Sequence, residues 1–128
     1  MAASVLVEAD VEMGRELLKI LDAANFPVTG AAWVYYADAG EWRLLIRTPK
    51  AERDLLGALR EVAGAMDAVG DLRGRIDLTR IKLVPPKDRT LAAMSSVVRV
   101  EGISSVRFSR NMINGILIDD ALIYRLAA

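Results

Sequence analysis

Three residues, Asp38-Ala39-Gly40, separate two strand-like runs, Val28 to Ala37 and Glu41 to Thr48, and this short spacing constrains the fold more than any other feature of the chain. A connection of that length returns the chain antiparallel beside itself, with glycine supplying the left-handed position that closes the turn. Both runs are rich in aromatic and branched residues, which suit a pleated surface. Alternation sets Trp33 and Tyr35 on one face and Val34 and Tyr36 on the other. Neither face reads as polar, so both need cover, and a sheet with helices on it is the expectation.

The flanking segments supply those helices. Asp10 is placed to cap a first helix in which Val11, Gly14, Leu17, Leu18, Leu21 and Ala24 recur at helical spacing, and Asn25-Phe26-Pro27 ends it. Glu52 to Val69 carries one apolar stripe, Leu55, Leu59, Val62, Met66 and Val69, too short for a coiled-coil seam and suited to packing on the sheet. A weakly basic loop, Gly70 to Arg75, leads to a strand from Leu78 to Val84, where Ile81 and Leu83 alternate with Arg80 and Lys82. Pro85-Pro86 stops that strand. Asp88 is placed to cap a third helix, Arg89 to Arg99, with Leu91, Met94 and Val98 inward and Gly102 as its end. Strands follow near Ser104–Ser109, Gly115–Ile118 and Ala121–Leu126, with turns at Asn114-Gly115 and Asp119-Asp120. The middle helix allows one parallel neighbour, whereas the hairpins must be antiparallel. The expected fold is one α+β domain over residues 1–128: a mixed, mostly antiparallel sheet of about five or six strands with about three helices packed on it.

Composition bounds the chemistry. The chain has neither cysteine nor histidine, which removes disulfides, thiol chemistry, the common zinc sites and the Ser-His-Asp triad. Seventeen basic residues balance seventeen acidic ones, so the overall field favours neither nucleic acid nor an anionic membrane. Hydrophobic residues make up 53% of the chain, more than a domain of this size readily hides, and a homo-oligomer is expected. The N-terminal residues lack the pattern of a secretory signal, and no apolar run is long enough to span a bilayer, so the expected location is cytoplasmic. No Walker-type loop or dinucleotide fingerprint is present, and no cofactor is expected.

The candidate binding residues are Arg107, Ser109, Arg110, Asn111 and Asn114. Arg107 and Ser109 alternate onto one strand face with Ser105, and arginine forks suit phosphate or carboxylate. The alternative is a solvated strand followed by a turn whose asparagines serve backbone geometry. Trp33, Tyr35 and Trp42 suit an interface or a core equally. Asp119 and Asp120 read as a hairpin turn; a magnesium site there needs Glu101 or Asp88 brought in by the fold. The basic run Arg73, Arg75, Arg80, Lys82, Lys87 and Arg89 is interleaved with Asp71, Asp77 and Asp88, the pattern of an ordinary charged surface. No catalytic residue and no metal ligand is assigned.

The C-terminal segment, Ile103-Ser-Ser-Val-Arg-Phe-Ser-Arg-Asn through Tyr124-Arg-Leu, resembles a family of small uncharacterised bacterial proteins. Glu12-Met-Gly-Arg-Glu-Leu-Leu, Phe26-Pro-Val-Thr-Gly-Ala and Trp42-Arg extend the resemblance over most of the chain. It implies a stand-alone cytosolic bacterial protein and brings no catalytic residues with it. The functional expectation is a binding or interaction protein that self-associates and meets a protein partner or a small anionic ligand. The alternative is a metal-dependent phosphoryl-transfer or nucleic-acid-processing enzyme built on carboxylates and arginines.

Overall fold

Leu17, Leu18 and Leu21 lie on one side of the first helix, and burying them fixes where that helix sits. In the computed structural model, which describes residues 5–68 and 78–127, helix α1 spans Glu8–Ala23 and also buries Met13 and Gly14. Each of the large apolar side chains contributes roughly 1.5–3 kcal/mol on burial. Val7, not Asp10, is the N-cap, and it makes no side-chain cap bond. Asp10 instead lies inside the first turn, where its charge favours the helix dipole and its carboxylate meets Arg80 at 3.3 Å. At the other end Asn25 takes a left-handed conformation (φ 59°) and the Phe26 amide donates to the Leu21 carbonyl at 2.9 Å, which closes the helix before Pro27.

Strands β1 (Gly30–Tyr36) and β2 (Glu41–Arg47) form the expected antiparallel hairpin, with Trp33 opposite Leu44 and Tyr35 opposite Trp42. The helix expected from Glu52 to Val69 is two helices, α2 (Lys50–Arg53) and α3 (Leu55–Asp67). Asp54 breaks the run: its carboxylate accepts from the Gly57 amide at 3.0 Å and caps α3. The buried stripe is Ala58, Val62 and Met66, while Leu55 is exposed. Val69 and the Gly70 to Arg75 loop, with Asp71, Arg73, Arg75 and Asp77, lie outside the described residues.

A single 3-10 turn, Leu78–Arg80, precedes β3 (Ile81–Val84), which runs parallel to β2. Helix α4 (Arg89–Ser95) is capped by Asp88 as expected, through a bond from the Leu91 amide. It stops short of Arg99. The hydroxyls of Ser95 and Ser96 donate back to the Ala92 and Ala93 carbonyls, a local bond that competes with helix propagation. Strand β4 (Val106–Ile113) then turns through Asn114-Gly115 (φ 49° and 80°) into β5 (Ile116–Leu126). The two strands expected after Gly115 are thus one, and Asp119-Asp120 is not a turn. Asp120 stays in the ladder opposite Ser109 because Arg107 and Ser109 both bond its carboxylate.

The sheet order is β3-β2-β1-β5-β4, mixed and mostly antiparallel, and the fold is α+β. Helices α1 and α3 cover one side, over Trp33, Leu44, Ile46 and Tyr124. Helix α4 covers the other, where Leu91 and Met94 meet Val34, Leu45 and Ile123. Trp33 and Val34 therefore face opposite sides, as alternation requires. The β1–β2 hairpin sits at the sheet centre with no free edge. Among the described residues, no helix is long and apolar enough to cross a membrane.

Polar groups inside this core are paired. Trp33 Nε1 donates to the Tyr124 hydroxyl at 2.9 Å, and that hydroxyl donates to the Val11 carbonyl at 2.6 Å. Arg47, only 5% exposed, donates to Thr29 Oγ1 and to the carbonyls of Thr29 and Ala127, holding the end of β5 against the start of β1. Gly14 allows the helix to approach closely enough for the tyrosine bond: a Cβ there would collide with the Tyr124 hydroxyl and lie 2.8 Å from its ring. Alanine favours helix by roughly 0.5–1 kcal/mol over glycine, but forced overpacking costs typically about 1–3 kcal/mol. Gly14→Ala is therefore expected to destabilise by about 1–2 kcal/mol in urea titration. The double variant with Tyr124→Phe should lose less than the sum of the two single losses, and strict additivity would refute the contact.

Candidate functional site

The last ladder pair between β1 and β5 is Val34 with Ala121, whereas the β4–β5 ladder continues to Ile113 with Ile116. Residues 116–120 of β5 thus have a strand partner only in β4, and the hairpin leaves the sheet as a two-stranded arm. The arm is bent where it leaves. Arg110 has φ 48°, and the register passes from Ser109–Asp120 to Asn111–Ile118 with no pair between Arg110 and Asp119. Because of this break Ile118 and Ala121, three residues apart, both pack in the α4-side cluster. Beyond the bend Met112 and Leu117 stand opposite each other, 67% and 61% exposed.

At the base of the arm the predicted residues come together, but around a carboxylate of the chain itself. Arg107 makes a bidentate pair with Asp120, Nε to Oδ1 at 2.9 Å and Nη2 to Oδ2 at 2.6 Å. Ser109 Oγ adds a third bond to Oδ1 at 2.9 Å. The guanidinium also lies over the Trp42 ring at 5.4 Å, and Trp42 in turn meets Tyr35 at 5.5 Å between centroids. Ser105 shares that side and accepts from Arg15 at 2.8 Å. The arginine fork that sequence reasoning reserved for an external anion is engaged by Asp120, in the geometry it would offer a ligand carboxylate.

The other candidates separate from this cluster. Arg110 is exposed at the bend. Asn111 stands opposite Ile118 in the ladder, and its side chain lies outside the described residues. Asn114 provides the left-handed turn position. It also lines a pocket of about 220 Å³ on the α4 side, together with Lys87, Arg89, Ala92, Ala93 and Ile116. Trp33 is fully buried and Trp42 3% exposed, both as core of the α1 side; of the three aromatic interface candidates only Tyr35 reaches the surface. Arg80, expected on a wet strand face, stacks on the Trp33 ring at 4.8 Å.

Two features escaped the sequence reading. Arg125 forms a bidentate pair with Asp22 at 2.9 and 2.7 Å and donates to the Gly102 and Val28 carbonyls, so one side chain ties α1, β5 and the loop before β4. The second is a cleft between the arm and the β1–β2 turn, about 300 Å³ in volume. Only the chain topology brings that turn beside the arm, and nothing in the local sequence of either segment signals it.

In comparisons with known proteins, no family model, no curated protein and no solved structure matches this chain.

Hydrogen bonds from Arg107 and Ser109, together with the arginine's charge, hold the Asp120 carboxyl below its ordinary value, and the Arg125 fork does the same for Asp22. A carboxyl whose pKa is lower folded than unfolded stabilises fully above the unfolded value and loses that contribution as pH falls through the folded one. Asp120→Asn is therefore expected to lower stability at neutral pH by about 0.5–1 kcal/mol, the scale of a partly exposed pair. Urea midpoints measured against pH should converge with those of the wild type once the medium is more acidic than the ordinary aspartate range. A gap unchanged in acid would show that the charge of Asp120 is not what the arm base uses.

Proposed function

We propose that this chain is a small cytoplasmic binding and interaction module that self-associates, with the β4–β5 arm as its contact surface. The observation that carries the reading is the exposed apolar pair Met112–Leu117, on the open face of a two-stranded extension whose other face packs on the α4 side. A lone two-stranded ribbon is marginal in water, and paired apolar side chains on it gain by burial against another surface. A second copy is the simplest occupant, because two-fold homodimers are the commonest soluble assemblies. The resemblance of the C-terminal segment to small stand-alone bacterial proteins is consistent with this reading.

For a small anionic ligand the chemistry is better at the Lys87, Arg89 and Asn114 pocket than at Arg107, whose fork Asp120 occupies. The enzyme alternative needs carboxylates that converge. Among the described residues no group of three acidic side chains does so, and Asp120 is engaged by Arg107 and Ser109.

Light scattering coupled to gel filtration tests the proposal. The wild type is expected to elute as a dimer whose mass falls on dilution. The double variant Met112→Asp/Leu117→Asp is expected to be monomeric, with stability within about 0.5 kcal/mol of wild type, as befits exposed positions. A wild type that is monomeric at all concentrations would refute self-association, and a double variant that remains dimeric would move the contact off the arm.

A further inference from the structure

We propose that the cleft between the arm and the β1–β2 turn binds a small organic cation, an alkylammonium or guanidinium group. Its lining is Tyr35, Tyr36, Ala37, Asp38, Leu117 and Asp119. This inference goes beyond self-association, since each chain carries the whole cleft and ligand binding is read separately from mass.

The lining combines what an organic cation needs. Asp38 comes from the β1–β2 turn and Asp119 from the bend of the arm, so carboxylates reach the space from two different segments. Neither has a cationic partner among the described residues, unlike Asp10, Asp22 and Asp120, which meet Arg80, Arg125 and Arg107. Tyrosine rings attract cations through their negative faces. Tyr36 already does so within the chain: the Arg43 guanidinium lies 5.0 Å from its centroid, with its charge matched by Glu41 at 2.7 Å. Tyr35 is braced against Trp42, so its ring is held in place before a ligand arrives. Leu117 adds an apolar wall for an alkyl portion.

Size and charge exclude other occupants. The cleft is at the small end of the roughly 300–1,000 Å³ range of ligand pockets, so it suits a group the size of one side chain. Two carboxylates repel phosphate and carboxylate ligands. Magnesium and calcium want six or more oxygens and gain nothing from aromatic or leucine walls. Leu117 and Asp119 stand two residues apart on β5, so strand alternation brings both to the cleft.

The cation has two sources, a free amine or a lysine or arginine side chain of a partner protein. Amide chemical shifts of the full chain would be followed while n-butylammonium, methylguanidinium or neutral 1-butanol is added. A blocked Gly-Gly-Lys-Gly-Gly peptide, with and without lysine acetylation, forms the other arm. Saturable shifts confined to residues 35–38 and 117–120 are expected with the cations and not with 1-butanol. Asp38→Asn and Asp119→Asn should each weaken binding about tenfold, the scale of a bond to a charged group, while their spectra remain those of a folded chain. Tighter binding of the lysine peptide than of butylammonium, abolished by acetylation, assigns a protein side chain; the reverse order assigns a free amine. Absence of saturable shifts, equal binding of 1-butanol, or cation binding unchanged in both asparagine variants would overturn the proposal.

Discussion

The Tyr124 hydroxyl is the point on which the α1 side of the molecule depends. It accepts from Trp33 on β1, belongs to β5, and donates to the Val11 carbonyl in the first turns of α1. One buried oxygen thereby joins two neighbouring strands and the helix that covers them. Removing it would leave the buried indole N–H without a partner, and an unsatisfied buried group costs about 1–3 kcal/mol. Burial raises the Tyr124 pKa well above its ordinary value, so the hydroxyl keeps its proton and its donor role across the physiological range. The surrounding pieces follow from this junction. Gly14 is small because the ring lies against it, and Arg80 closes the open end of the Trp33 ring while Asp10 holds the guanidinium.

The arm is the converse case, a place where two strands continue their ladder after the neighbouring strand has ended. Strand β1 stops at Tyr36 because the Asp38-Ala39-Gly40 turn reverses it, yet β5 and β4 extend past that level. Their extension has no third strand, and it is covered on the α4 side alone, where Ile116 and Ile118 pack. The backbone bends at the boundary, at Arg110 and Asp119, where the last well-supported pair is the Ser109–Asp120 rung held by Arg107. A non-glycine residue in the left-handed region is a cost of order 1 kcal/mol or more that its surroundings must offset, and the three bonds on Asp120 lie next to it.

Much of this architecture was legible in the sequence because it rests on local rules. The hairpin spacing, the opposite faces of Trp33 and Val34, the cap at Asp88 and the turn at Asn114-Gly115 each follow from a few adjacent residues, and the parallel return of β3 from the helices between it and β2. The misreadings came where a long-range or competing partner decided. Asp119-Asp120 looks like a turn until Arg107 and Ser109 on the neighbouring strand are placed beside it. Asp54 looks like one more polar position in a helix until its carboxylate takes the Gly57 amide. Asp10 resembles a cap, but Val7 begins the helix one turn earlier and releases the carboxylate to Arg80. The candidate site was half legible. Alternation correctly joined Arg107 to Ser109, but no periodicity could reveal that their ligand-like partner was an aspartate of the same chain.

A balanced formal charge, seventeen against seventeen, conceals how the charges are distributed. Most of the well-formed pairs, such as Arg125 with Asp22 and Arg107 with Asp120, cancel within bonding distance and leave little field outside. The two concavities flanking the arm are less completely cancelled, since Lys87 lies 3.5 Å from Glu52 but Asp38, Asp119 and Arg89 have no ion pair among the described residues. Asp38 and Asp119 line one, and Lys87 and Arg89 line the other, on the α4 side. The arm therefore divides an acidic aromatic cleft from a basic one, and a surface that docks on it would meet apolar side chains between opposite charges. Such an arrangement selects partners by orientation as well as by composition, because turning the partner around would set like charges against each other on both sides.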